Sequence, residues 1–372
     1  MQRPSPPARP PRDLRLDIVR GWMQLSIFIS HVAGSVFAWG IHATWGLSDS
    51  SEQFVMLSGL TLGSVFTLKA ARGGFAAGRA DMLRRTLRLY TTHLTVFAMF
   101  AALVIAASMR LLPGEVSRLG WDWLVQMPAL AVPGAATLLY QPDQMGILPV
   151  FVWCMLALPG FLWLADRIGA WALLPSALLH GAVQLGWVRT PGLGGTGVQF
   201  DPLAWQLLYL IGAYVGRHAL LTGEGLPRRR WLVAAAALVA LVGLWARLVE
   251  HGFIPGPELA VSAFMHKETL APARLAHALA LAYLVAALVP REAPWMARPV
   301  GGALAAIGRH SLQVFCVGLF LAWGVTAAMR LRPAAAGWLD LLLVPAGALA
   351  LAAFAQLRER WRARGAPVRA AG

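Results

Sequence analysis

Ten stretches of mostly apolar residues recur along the chain, at 16–38, 53–70, 87–109, 144–165, 169–187, 202–221, 231–250, 270–290, 302–328 and 338–357. Each is near the ~20 residues that a helix needs to cross the hydrocarbon core of a bilayer. A backbone in hydrocarbon must satisfy its own N–H and C=O groups, and a helix does so within one segment. With 58% hydrophobic and 13% charged residues, the chain has lipid as its solvent and leaves no stretch for a soluble domain. The expected fold is therefore all-α: a polytopic membrane protein of about ten transmembrane helices.

Charge fixes the orientation. A net charge of +15 in a soluble protein would point to nucleic acid. Here the arginines gather in alternate short loops between apolar runs, which is how membrane orientation is encoded, and a nucleic-acid role is excluded on that ground. Both termini are expected in the cytoplasm. An eleventh apolar stretch, 121–140, is interrupted by Pro128 and Pro133, and counting it as a span would move Arg228, Arg229 and Arg230 outside. It is expected to be interfacial or re-entrant. Residues 1–12 form a Pro/Arg-rich disordered tail, 13–358 a single membrane domain and 359–372 a basic cytoplasmic tail. The first apolar run has no small-residue cleavage site and is read as a retained helix. Cys154 and Cys316 lie in apolar runs, so neither a disulfide framework nor a cysteine metal site is expected, and no metal is assigned.

Ionisable side chains kept inside a span are costly, which makes them functional candidates. His31 lies in the first run with Arg20 eleven residues before it, about 16 Å of helical rise and about three turns below. Asp49 and Glu52 stand at the mouth of the second run, where two acids at this spacing cap a helix and meet its dipole. Glu52 also enters the apolar zone, where a carboxylate can hold an imidazole in the tautomer that a general base needs. Arg84, Arg85 and Arg88 begin the third run and offer a bidentate phosphate site, with His93 a little further in. The plainer alternatives are a backbone-bonded His31, a snorkelling Arg20 and an arginine anchor that serves orientation only. Taken together, cations at the cytoplasmic end and an imidazole with a carboxylate further out match the proportions of an acyl-coenzyme A. That layout fits acyl transfer in which His31 takes the proton of an acceptor hydroxyl, with no metal and no covalent enzyme intermediate.

The same residues resemble a known family. Arg20 with His31, the Asp49-Ser50-Ser51-Glu52-Gln53-Phe54-Val55-Met56-Leu57-Ser58-Gly59 segment, Arg85-Thr86-Leu87-Arg88-Leu89-Tyr90 with His93, Ile147-Leu148-Pro149, and Asp201-Pro202-Leu203-Ala204-Trp205-Gln206 are similar to the OpgC family. Lys267, Pro272, Arg274, His277 and Tyr283 continue the likeness, as does Gly308-Arg309-His310-Ser311-Leu312-Gln313-Val314-Phe315. That family sits in the superfamily of the acyltransferase-3 enzymes. The resemblance implies a bacterial inner-membrane enzyme that transfers succinyl from cytoplasmic succinyl-coenzyme A, a co-substrate rather than a tightly bound cofactor, to osmoregulated periplasmic glucans. It implies His31 as base, Asp49 and Glu52 as its acidic partners, and Arg20 with the Arg85 and Arg88 pair at the coenzyme, where the phosphate-site reading of the arginine turn adds Arg84. Trp205, Gln206, Asp143, Lys267 and His93 are the candidates for meeting the acceptor. Trp205 and Gln206 at a helix end fit sugar stacking or an ordinary aromatic belt, and Lys267 fits an anionic group or a solvated loop charge.

Two positions depart from the family pattern. Gly146 stands where an acid is expected before Ile-Leu-Pro, with Asp143 three residues upstream, and Asp201-Pro202 replaces Asn-Pro. Both lie on the acceptor side and bear on the glycan rather than on the reaction. The rival reading is a transporter exporting a glycan or acyl-bearing metabolite, since intramembrane His and Glu also relay protons. Transporters commonly carry internal repeats and paired interrupted helices, which this sequence lacks.

Overall fold

The computed structural model describes residues 12–195, 197–257 and 265–364. Residues 1–11 of the expected tail at 1–12, and 365–372 of the basic tail, lie outside the described residues. The main helices are α1 (Leu14–Ser30), α2 (Ser50–Arg110), α3 (Ile147–Ile168), α4 (Leu173–Gln184) and α5 (Pro202–Thr222). They continue with α6 (Arg230–Glu250), α7 (Pro272–Leu288), α8 (Pro299–Arg309), α9 (Ser311–Leu331) and α10 (Ala336–Arg364). Among the described residues there is no strand, only an isolated bridge between Pro191 and Gly197. Five helical stretches are long and apolar enough to cross a membrane: Ser50–Arg110, Ile147–Gln184, Arg230–Glu250, Ser311–Leu331 and Pro333–Arg364. The chain is an all-helical membrane protein.

Four apolar runs differ from their expected form. The runs at 53–70 and 87–109 belong to one 61-residue helix, and residues 71–86 are helical rather than a loop. Gly74 interrupts it with φ 80° and ψ 165°, a backbone that only glycine adopts at little cost, so two helices meet at a kink. The first run, 16–38, ends its helix at Ser30 and continues through a 3₁₀ turn at Val36–Gly40. The run at 302–328 is two helices, α8 and α9, broken at His310. Residues 359–364, expected in the basic tail, extend α10 instead. The 121–140 stretch forms two short helices, Asp122–Gln126 and Pro128–Ala136. The nine residues of the second rise about 14 Å, too little to cross the hydrocarbon core.

The helices form two compact units, one over 45–287 and the other over 12–44 with 288–364. In the first, α2 and α5 lie against each other at backbone distance. A Cβ on Gly59 would overlap the carbonyl of Tyr209, and one on Gly63 that of Ala213. From the other side, a Cβ on Gly212 or Gly216 would overlap the carbonyls of Met56 and Leu60. Ser64 Oγ then reaches the carbonyl of Gly216 at 2.7 Å. Small residues four apart on both helices bring the backbones together, and between helices in lipid the gain is van der Waals contact and hydrogen bonding rather than a hydrophobic effect.

The second unit repeats the device with α1 and α8: the position of a Cβ on Gly21 is taken by the carbonyl of Leu304, and that on Gly308 by the carbonyl of Asp17. Phe28, Ala306, Ile307, Val314, Ala322, Val344 and Leu351 form its core.

Candidate functional site

The first unit contains a closed group of charges at the start of α2. Asp49 is the N-cap: its Oδ1 accepts from the Ser51 N–H at 2.7 Å, and Glu52 Oε2 accepts from the Asp49 N–H at 2.9 Å, completing a reciprocal capping box. The box turns Glu52 Oε1 towards α7, where Arg274 Nε and Nη2 both stand 2.6 Å away. Arg274 Nη2 also meets Asp49 Oδ2 at 3.1 Å, and Lys267 Nζ meets the same oxygen at 2.7 Å. Two further bonds fasten the same pair of helices. Ser48 gives its N–H to His277 Nδ1 at 3.2 Å, and Gln53 Nε2 donates to the carbonyl of Ala278 at 2.9 Å. Since Nδ1 of His277 accepts that main-chain proton, its own proton is on Nε2.

Glu52 is fully buried and Arg274 nearly so. Two acids and two cations cancel, so the group is neutral as a whole. Burial alone would raise the Asp49 carboxyl, but Lys267 and Arg274 beside it hold it well below the usual carboxylate range. Removing one member of such a buried pair leaves an uncompensated charge, at a cost of about 3–5 kcal/mol.

Lys267 is set by main-chain contacts. Trp205 Nε1 donates to the carbonyls of Lys267 and Glu268 at 2.9 and 3.1 Å, and the Asp201 N–H donates to the carbonyl of Glu268 at 2.8 Å. Gln184 Nε2 donates to the Thr269 carbonyl at 2.7 Å. The Lys267 ammonium also lies 5.3 Å over the Phe200 ring. Trp205 has no exposed surface, so it scaffolds this loop and offers no face for a sugar to stack on, contrary to the expectation. Gln206 is likewise engaged, with Ser176 Oγ at 2.5 Å and the Ser176 carbonyl at 3.0 Å, joining α4 to α5.

Asp201 serves as N-cap of α5, accepting from the Leu203 N–H at 3.0 Å and from Thr190 Oγ1 at 2.7 Å. Asn makes a comparable cap, so the exchange of Asn-Pro for Asp-Pro preserves the start of the helix. Gly146 has no room for the acid expected there: a Cβ would come within 2.6 Å of Gln199 Cβ and Oε1. Gln199 Nε2 instead donates to Asp143 Oδ1 at 3.2 Å, and Asp143 is exposed.

His93 is 1% exposed, and neither ring nitrogen has a hydrogen-bond partner. It packs near Phe97, whose ring in turn lies 4.8 Å from the buried Trp121. Arg84, Arg85 and Arg88 are exposed on α2 beyond the Gly74 kink. Asp81 draws on the first two, with Arg85 Nε at 2.8 Å and Arg84 Nη2 at 3.8 Å. Among the described residues no ion pair holds Arg88.

Arg20 and His31 belong to the second unit, and the other candidates to the first. Asp13 caps α1, accepting from the Arg15 N–H at 3.1 Å, and Arg12 grips Asp17 through Nε and Nη2 at 2.5 and 3.0 Å. Arg20 follows one turn on. His31 is the C-cap of α1, half-buried, with Nδ1 2.6 Å from the carbonyl of Ile27. A carbonyl only accepts, so Nδ1 carries the proton and the lone pair is on Nε2. The tautomer thus comes from a main-chain carbonyl one turn back. The segment that follows is tied down by α9 and α10: the Ala33 N–H donates to Thr326 Oγ1 at 3.2 Å, and the Val36 N–H to Asp340 Oδ2 at 2.9 Å.

Two residues of this arrangement lie outside the sequence-derived set. Arg274 is the cation that Glu52 requires, and Asp340 holds the chain after His31. Both are charged residues within apolar runs, and that alone marks them for a partner. Among the described residues no group of His, Cys, Asp and Glu has the makings of a metal site.

A family model described as OpgC protein matches residues 12–363. No curated protein and no solved structure matches the chain.

Proposed function

The chain belongs to the OpgC family, an acyltransferase-type family of membrane proteins, and we propose that it moves a succinyl group from cytoplasmic acyl-coenzyme A to hydroxyls of a periplasmic glucan. In this reading the chain crosses the bacterial inner membrane about ten times and leaves both ends in the cytoplasm. The observation that supports it is the His31 ring at the end of α1, with Nδ1 held on the Ile27 carbonyl, which puts the ring's lone pair on Nε2.

The reaction then needs few parts. The acceptor hydroxyl oxygen attacks the thioester carbonyl carbon while His31 Nε2 removes its proton. The tetrahedral oxyanion collapses, the carbon–sulfur bond breaks, and the departing thiolate takes the proton back from the imidazolium. The products are the glucan ester and free coenzyme A. For the anionic coenzyme, Arg20 is the candidate contact on the second unit, and Arg84, Arg85 and Arg88 are the candidates on the first. Asp49 and Glu52 act as the buried anchor of α2 rather than as groups that exchange protons, since their oxygens are committed to Arg274, Lys267 and the helix cap. Asp143 and Lys267 meet the acceptor, because both keep exposed surface beside the Phe200 and Trp205 scaffold.

His31→Ala in cells that make the glucan tests this reading. Acylation measured by mass spectrometry of the periplasmic glucan is expected to fall about 100-fold or more, with the protein still folded and in the membrane. Undiminished acylation in that variant refutes the mechanism. Glucan that leaves unmodified from wild-type cells, and fails to leave without the protein, refutes acyl transfer in favour of export.

A further inference from the structure

The break between α8 and α9 in the second unit leaves a set of groups that neither the packing nor the mechanism uses. His310 is the N-cap of α9 but makes no side-chain cap bond. The first turn of a 21-residue helix therefore begins without a side-chain acceptor, and because α8 ends on the same residue its C-terminal dipole offsets that of α9, so the charge at this break comes from side chains. His310 is 2% exposed and its Nδ1 has no partner. The charges that act on it are those of Arg362, Glu359, Arg358 and Arg309.

These cations are not balanced. Arg309 pairs with Glu359, and Arg12 pairs with Asp17. Arg12 also feels nothing acidic beyond Asp17 and Glu359. Arg358 lies 5.8 Å over the Phe354 ring, and its Nε is buried without a hydrogen-bond partner. Among the described residues no ion pair holds Arg358 or Arg362. The Gly308 backbone is packed on that of Asp17, which brings the start of α1 and the end of α8 together at this same end of the unit. Arg12, Arg309, Arg358 and Arg362 thus face two acids, Asp17 and Glu359, and Arg20 also stands beside Asp17, so the cations outnumber the acids.

Guanidinium groups left over beside a buried imidazole nitrogen that has no partner are the elements of phosphate recognition: donors arranged for bidentate bonds, and a further polar group that nothing in the packing satisfies. We propose that the N-terminal end of α9, with His310, Arg358 and Arg362, binds a phosphate ester, and that the phosphates of the coenzyme donor occupy it. The identification of the ligand as the donor rests on the acyl-transfer reading; the phosphate chemistry does not. A lipid headgroup offers the same chemistry and is the other source.

The test uses the full chain in nanodiscs of phosphatidylcholine, titrated with coenzyme A, 3′-dephospho-coenzyme A and pyrophosphate. The variants are Arg358→Gln, Arg362→Gln and the pair together. Both arginines reach the surface, so the variants are expected to keep the wild-type thermal midpoint. The double variant is expected to weaken coenzyme A binding about tenfold or more, as loss of charge-assisted bonds requires. Its KM for the donor should rise in step, while kcat at saturating donor stays within about twofold, a split that damage to the fold would not give.

The two sources separate by lipid mass spectrometry. Unchanged coenzyme affinity, together with loss of co-purifying phosphatidylglycerol from the double variant, keeps the phosphate site and assigns it to a headgroup. Unchanged coenzyme affinity with unchanged lipid overturns the site. Wild-type protein that binds coenzyme A through these arginines, yet leaves the glucan unmodified, retains the site and refutes the acyl-transfer reading alone.

Discussion

The two units each hold a cluster of charges, and the clusters differ in what remains after pairing. At the start of α2, Asp49 and Glu52 meet Lys267 and Arg274 in equal number, with Glu52 and Arg274 buried. At the start of α9, the arginines outnumber the acids and two of them have no ion pair among the described residues. A neutral, fully bonded group in low dielectric is rigid, and of its members only the partly exposed Lys267 has surface left for a ligand. An excess of cations attracts an anion. The number of charged residues is similar in the two places, so the count alone does not tell an anchor from a binding site.

Removing one member of the α2 cluster tests this contrast most severely. Arg274→Met strands Glu52 and should lower stability by about 3–5 kcal/mol, read as a fall in the thermal midpoint in detergent. Adding Glu52→Gln to it should recover a large part of that loss, and a double variant no more stable than the single one would contradict the pairing. For the α9 cluster the opposite is expected, a loss of affinity without loss of stability.

Packing gives the next largest effect. Gly212→Leu drives a side chain into the Met56 carbonyl, and overpacking of that kind costs about 1–3 kcal/mol or more. If Gly212→Leu unfolds at the wild-type midpoint, α2 and α5 are not at backbone contact.

A pH series sharpens the comparison further. The folded-state pKa of Asp49 is depressed, so its contribution is complete above the ordinary carboxylate value of about 3.9 and is lost only as pH falls through the depressed folded value. The stability difference between wild type and Asp49→Asn should therefore stay constant from pH 7 to about pH 4 and narrow below that. A difference that does not narrow at all between pH 4 and pH 2 would mean that the Asp49 carboxylate is unpaired in the folded protein. The smallest effect is expected at Lys267, whose side chain is 41% exposed. Lys267→Met should change the midpoint by no more than about 1 kcal/mol of stability, because solvent screens the pair.

Much of this was legible in the residue order because it is local. The spacing of Asp49 and Glu52 is that of a capping box, and the box is there. The apolar runs lie on helices, although a kink at Gly74 joins two of them and a break at His310 divides another. The site was less legible. For Trp205 a helix-end position fits either sugar stacking or an ordinary aromatic belt, but its ring is enclosed and its N–H holds the loop of Lys267. The carboxylate expected to orient His31 is bonded to Arg274, and the Ile27 carbonyl meets the ring instead. Nothing in the order of residues tells a side-chain acceptor from a main-chain one.

The sequence alone determined that this chain is a helical membrane protein of the OpgC family, because hydropathy, charge alternation and helix caps act over a few residues at a time. Tertiary structure decided which charges cancel. Glu52 and Arg274 are 222 residues apart, and only the close approach of α2 to α7 makes one the counter-ion of the other. Coulomb energy depends on distance in space and on exclusion of water, neither of which is written in the spacing along the chain.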